Sequence, residues 1–285
     1  MIAFAVVGRN EARYLPESLR QAFEAAGPDD RVVFVDSESS DGSATVAADL
    51  GAEVIPAPEG KGRAMSTALD LFPDDHVCFI DGDIERSERN IPLTLAEGLR
   101  ASGADMVIAQ FEWPEKRFVV NQSAIYDPLV GALFPEAVGR FGRFAFSGFR
   151  LVRSAAVIRP MPLGFGAELH MNVSFAVAGR SVEVVHVGRY GGPVRDKITH
   201  SHELADAVLD YAERIGRLDS QLRPEWDAWV ESVAELIRAW TNPESDEDVA
   251  QFHEHVLARA AAPLPPAVQV SGANATPNLR IAPDG

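Results

Sequence analysis

A single cysteine, Cys78, occurs in 285 residues, so neither an intramolecular disulfide nor a cysteine-rich zinc site can form. It lies in the apolar run His76-Val77-Cys78-Phe79-Ile80, where a small buried core residue is expected. Basic residues are also scarce. Lys and Arg number 26 against 42 Asp and Glu, a formal net charge of -16 with a sequence pI near 4.8. Such a surface repels nucleic acid at long range and offers no basic patch for anionic lipid. An anionic substrate can still bind where a few Arg or Lys, or a metal ion, make the site locally positive. No stretch is long and apolar enough to span a bilayer. The N-terminal MIAFAVVGRNEA lacks a basic leader and reads as a first strand, not a signal peptide. A cytoplasmic protein without a membrane span or nucleic-acid partner is expected. No internal repeat is found. With 46% hydrophobic residues, the chain can bury a core the size of one large α/β domain or two packed halves.

The first half alternates strands and helices. Strands are expected at residues 2–7, 31–35, 53–56 and 76–80, with helices at 15–26, 43–50 and 62–71 between them. Continuous apolar strands joined by helices predict a parallel sheet covered on both faces. Ligands of such sheets gather at the carboxyl ends of the strands. There the sequence places Gly8-Arg9-Asn10-Glu11, Asp36 and Asp81-Gly82-Asp83. In the second half, strands are expected at 105–111 and 182–187, and helices at 91–102, 127–133, 149–157, 168–178, 203–218, 225–239 and 246–262. From Pro263 onward the composition is that of a disordered tail.

Three clusters carry chemistry. Asp81 and Asp83 flank a glycine just after a buried strand. Unneutralised, such a carboxylate pair repels; a hard divalent cation, magnesium or manganese, takes these oxygens together with those of a diphosphate. An acidic turn is the plain alternative. In the second cluster, Val35-Asp36-Ser37-Glu38-Ser39-Ser40-Asp41-Gly42-Ser43, Asp36 can accept hydrogen bonds from a base edge or ribose hydroxyl, and Asp41 suits a helix cap. In the third, Gly60-Lys61-Gly62, the glycines let a loop approach a phosphate and Lys61 supplies a point charge. The Walker spacing is absent, so this is not an ATPase loop.

In this order, the motifs resemble glycosyltransferases of the GT-A fold, and more closely the glucosyl-3-phosphoglycerate synthase and mannosylglycerate synthase group. Asp127-Pro-Leu-Val-Gly-Ala-Leu-Phe-Pro-Glu136 is similar to a helix of those enzymes, and Pro162-Leu-Gly-Phe-Gly-Ala-Glu168 resembles their Gly-Tyr-Gly-x-Glu segment. The resemblance implies an α/β GT-A fold: a mostly parallel central sheet flanked by helices, with a C-terminal helical extension. It divides the chain into a nucleotide-sugar-binding half (1–105), an acceptor-binding half (106–202), C-terminal helices (203–262) and the tail (263–285). It implies that Asp81 and Asp83 hold Mg2+ or Mn2+ and the donor diphosphate, and that Gly8, Asn10, Glu11, Asp36 and Lys61 contact the nucleotide. Asp83 and Glu168 become the catalytic candidates, Glu168 lying near the acceptor and the transferred sugar. A histidine before the late helix completes the metal shell; here His200 or His202 fits.

The implied reaction moves a hexose from a UDP- or GDP-sugar to a small hydroxyl acceptor such as 3-phosphoglycerate or glycerate. One departure stands out. The family's Gly-Arg-Val-Thr acceptor pattern is replaced by Val119-Val120-Asn121-Gln122-Ser123, leaving Arg117, Asn121 and Arg150 as candidate substitutes. A homodimer is left open. The alternatives are a sugar-phosphate nucleotidyltransferase, disfavoured by the single glycine in the first loop, and a non-catalytic sugar-nucleotide-binding protein.

Overall fold

Side chains alternate across a strand, and here each face of the sheet meets its own core. In β1 (Ile2–Gly8), Ala3, Ala5 and Val7 join one cluster of buried residues while Phe4 and Val6 join the other. A computed structural model describes residues 1–112, 119–193, 200–239, 246–260 and 263–268. The other strands are β2 (Arg31–Asp36), β3 (Glu53–Pro56), β4 (His76–Asp81), β5 (Arg86–Ser87), β6 (Met106–Glu112), β7 (Arg150–Arg153) and β8 (Val182–Gly191). They form one sheet in the order β3-β2-β1-β4-β7-β6-β8-β5. The pairs β1–β2, β1–β4, β2–β3 and β6–β8 are parallel; β7 runs antiparallel to β4 and β6, and β5 antiparallel to β8.

The helices in chain order are α1 (Leu15–Ala25), α2 (Ser43–Asp49), α3 (Lys61–Leu71), α4 (Ile91–Ser102), the short α5 (Val119–Asn121), α6 (Asp127–Leu133), α7 (Ala167–Val177), α8 (Ser201–Arg214), α9 (Arg223–Arg238) and α10 (Asp246–Ala260). A π-helical turn, Gln122–Tyr126, joins α5 to α6. Buried residues of α1, α2 and α4 cover one face of the sheet, and those of α3 and α6 to α9 the other. Among the described residues no helix is long and apolar enough to cross a membrane.

Residues 149–157, expected as a helix, instead form β7 and a 3₁₀ turn at Ser154–Ala156. A short apolar run does not distinguish strand from helix by periodicity. Here the open edges of β4 and β6 decide, since Leu151 pairs with both Cys78 and Val107. β8 runs beyond the expected 187 to Gly191 because Tyr190 and Gly191 pair with the two-residue β5, which was not expected. At the start of the expected tail, Leu264 and Ala267 pack on the core and the Trp226 indole donates to the Pro266 carbonyl at 2.9 Å. Residues 269–285 lie outside the described residues.

The first residue of β7, Arg150, is fully buried. Its five N–H groups donate to the carbonyls of Ala145, Ser147 (twice) and Glu168 and to Asn172 Oδ1. Burial pushes its pKa below the ordinary value, and the nearby Glu168 carboxylate acts in the opposite direction. Arg150→Met leaves these acceptors without a donor. It should cost about 3–5 kcal/mol of unfolding free energy in urea titration, the scale of breaking a buried charged pair. A loss below about 1 kcal/mol would show that the loop before β7 does not depend on Arg150.

Candidate active site

The register Gly8↔Asp36 and Val7↔Asp81 places two carboxylates on either side of the end of β1, about 10 Å apart given two strand spacings. The Asp81-Gly82-Asp83 turn is anchored from beneath. Gly82 N donates to Val7 O at 2.9 Å. The buried Ser18 hydroxyl of α1 donates to Asp81 O at 3.0 Å and accepts from Ile84 N at 3.2 Å.

Two loops interlock beside this turn. Asn10 (φ 59°) and Glu38 (φ 60°) are the non-glycine residues with left-handed backbones among the described residues. Such conformations cost energy and persist where surrounding contacts fix them. Here Asn10 N donates to Ser39 Oγ at 2.9 Å and Ser40 N donates to Asn10 Oδ1 at 2.8 Å. Glu11 N donates to Ser43 Oγ at 2.8 Å, while Asp41 accepts from Ala12 N and from both the amide and hydroxyl of Ser43. Burial alone would raise the Asp41 pKa; these hydrogen bonds outweigh it and hold the group below its usual value. Gly42, not the expected Asp41, is the N-cap residue of α2; Asp41, one position earlier, accepts from the first helical residue and ties the two loops together. The adjacent Asp36 Oδ1 accepts from Ser39 N at 3.1 Å. Gly8, Asn10, Glu11 and Asp36 are therefore gathered at one sheet edge, with the Asn10 side chain used to brace the loops.

The Gly60-Lys61-Gly62 segment meets the second-half motif directly. Gly62 N donates to Gly164 O and Arg63 N to Leu163 O, both at 3.1 Å. A Cβ on Gly62 would lie 1.9 Å from Pro162 O, so only glycine admits this contact. On the other side, Gly60 N donates to Ser37 Oγ at 2.9 Å. Lys61 Nζ then reaches two carboxylates, Asp81 Oδ1 at 2.8 Å and Glu168 Oε1 at 2.6 Å. Burial works against the ammonium charge, but Asp81 and Glu168 more than offset it and hold the lysine pKa above its ordinary range. Glu168 is itself 3% exposed. Behind Asp81, a Cβ on Gly148 would lie 2.4 Å from Oδ2, so this glycine makes room for the carboxylate.

The two histidines part company. The His200 ring lies against Phe165, centroids 3.9 Å apart and planes tilted by 33°, and its Nδ1 lies 3.4 Å from Glu203 Oε1; the other Glu203 oxygen accepts from Phe165 N at 3.0 Å. His202 faces α9, its Nε2 2.6 Å from Glu231 Oε2. Among the described residues, no group of three or more His, Cys, Asp or Glu is gathered as a ready-made metal cage. Of the candidate acceptor residues, Arg117 lies outside the described residues. Asn121 Oδ1 accepts from Ser201 Oγ at 2.8 Å. Arg150 has no donor left for a substrate, so it cannot replace the missing acceptor arginine. Sequence reasoning missed Ser18, Ser37, Gly148 and Glu203, whose contacts with Asp81, Gly60, Asp81 and Phe165 span 23 to 67 positions and leave no local signal.

A mostly parallel sheet with an acidic turn at the end of β4, flanked by helices, defines the GT-A class of α/β proteins. Residues 4–153 match the model of Glycosyl transferase family 2. The chain belongs to that family and is a glycosyltransferase. No curated protein matches it by sequence. Among solved structures, it is similar to glucosyl-3-phosphoglycerate synthase of Mycobacterium tuberculosis in complex with Mn2+, UDP and glucosyl-3-phosphoglycerate: 21% identity, TM-score 0.64, covering 77% of this chain and 81% of that one. It is also similar to mannosyl-3-phosphoglycerate synthase of Rubrobacter xylanophilus: 22% identity, TM-score 0.62, covering 79% and 74%. At these identities the likeness establishes the fold.

Gly148→Ala tests the seat of Asp81. The added methyl should displace the carboxylate and reduce turnover by roughly 10², the scale of a 1 Å misplacement in a catalytic group. Far-UV circular dichroism should be unchanged. Undiminished turnover would show that Asp81 need not hold this orientation.

Proposed function

We propose that this glycosyltransferase moves a hexose from a UDP- or GDP-sugar to a small hydroxyl acceptor, with a divalent cation held by Asp81 and Asp83. The observation that carries the proposal is the convergence of Asp81, Lys61 and Glu168, which brings the end of the nucleotide half onto the acceptor-half motif. The donor set fits a hard cation. Magnesium and manganese take carboxylate oxygens together with substrate phosphates and keep water for the rest, so they need no all-protein cage. Solved structures of the M. tuberculosis enzyme contain Mn2+ or Mg2+ with UDP, and one contains Mn2+, UDP-glucose and phosphoglyceric acid.

The residues divide the work. Asp36 accepts from the base edge or ribose. The interlocked Asn10 and Glu11 loop walls the nucleotide. Lys61 has three N–H donors, enough to serve a phosphate oxygen as well as the carboxylates it pairs with. A bound divalent ion would offset the negative charge that grows on the departing diphosphate. Glu168, fixed by Lys61, faces the transferred sugar and the acceptor. His200, beside Phe165 and Glu203, is the candidate to complete the metal shell, and His202 serves the α8–α9 contact. 3-Phosphoglycerate and glycerate remain the acceptor candidates, read by groups other than Arg150.

Asp83→Asn keeps the shape of the turn and removes one charge. It should lower turnover by roughly 10²–10³, the scale of losing one preorganised electrostatic contact. In parallel, UDP or GDP should raise the melting temperature of the native protein with manganese and much less with a chelator. Normal turnover by Asp83→Asn would leave the acidic turn structural and remove Asp83 from the reaction.

A further inference from the structure

The Lys61 ammonium sits on one of the carboxylates assigned to the cation. Its Nζ is 2.8 Å from Asp81 Oδ1 and is shared with Glu168 at 2.6 Å. The contact is built, not incidental. Ser37 holds Gly60 from one side, Gly164 and Leu163 hold Gly62 and Arg63 from the other, and Lys61 is the first residue of α3. On Asp81, the carboxylate occupies the space that a Cβ on Gly148 would fill, so the glycine is what admits it beside the ammonium.

We propose that Lys61 is a resident counter-ion that makes cation uptake depend on the donor diphosphate. A dication and an ammonium on one carboxylate repel each other, so the cation alone is disfavoured. A diphosphate changes the balance: its oxygens accept from Lys61 and bind the cation at once, turning two competing positive charges into two halves of one anion site. Linkage then runs both ways, the nucleotide tightening the cation and the cation tightening the nucleotide by the same factor. In this account Lys61 is a positioning residue that sets the order of assembly, in addition to contacting phosphate. The inference rests on the reading that Asp81 and Asp83 hold the cation.

The test is manganese binding to the native protein and to Lys61→Met, measured by calorimetry or by loss of the free-ion electron paramagnetic resonance signal, with and without UDP. Without UDP, Lys61→Met should bind manganese at least tenfold more tightly than the native protein. UDP should tighten manganese at least tenfold in the native protein and far less in the variant. Lys61→Arg keeps the charge and should keep native-like weak binding without UDP, whatever its turnover. If Lys61→Met does not fold, Lys61→Met/Glu168→Gln removes the ammonium along with one of its two carboxylates and should show the same gain. Equal manganese affinity in native and variant proteins without UDP, with UDP still tightening both, would overturn the counter-ion role and leave the cation site standing. No manganese binding by any protein even with UDP would overturn the cation site and this inference together.

Discussion

One ammonium joins the two halves of this site. Lys61 reaches Asp81 at the end of β4 and Glu168 at the start of α7, residues 87 positions apart in the chain. Both carboxylates lie within 2.8 Å of the ammonium, whose charge offsets a repulsion that would otherwise favour protonating one of them. The backbone contacts that place Lys61 follow from the same need. Gly62 can lie against Pro162 because it has no side chain to collide with it, and the first turn of α3 then donates two amide hydrogen bonds to the carbonyls of Gly164 and Leu163.

The remaining contacts support that junction. Ser18 holds the carbonyl of Asp81 from α1 while Gly148 shapes the space behind its carboxylate. Arg150 locks the 145–147 loop with three of its donors and gives the other two to the Glu168 carbonyl and Asn172, so the segment behind Asp81 and the helix bearing Glu168 share one buried anchor. Preorganisation of this kind lets a few charged groups act strongly, since they do not reorganise during reaction. The price is the positive φ at Asn10 and Glu38, fixed by the hydrogen bonds between their loops.

Much of this was legible in the sequence. The apolar strands of the first half end in Gly8, Asp36 and Asp81, and a parallel sheet gathers strand ends at one edge, so their convergence followed from local pattern alone. The second half was less legible because its decisive contacts are long-range. Nothing near Lys61 announces that its partners are Asp81 and Glu168. Arg150 looked available for a substrate, yet burial and five internal acceptors consume it. Residues 149–157 read as a helix because the gap between β4 and β6 that they fill is set by elements far away in sequence. His200 and His202 could not be told apart by spacing; only the packing of Phe165 on one side and α9 on the other separates them.

The central claim is that a divalent cation joins the acidic turn after β4 to a nucleoside diphosphate. Anomalous diffraction at the manganese edge, from crystals grown with UDP and Mn2+, tests it most directly. The account predicts one strong peak about 2.1 Å from a carboxylate oxygen of Asp83, the distance of a hard cation to oxygen, shared with the diphosphate and beside Asp81. Clear density for UDP at the ends of β1 and β4 with no manganese on the turn, or a peak elsewhere, would contradict it.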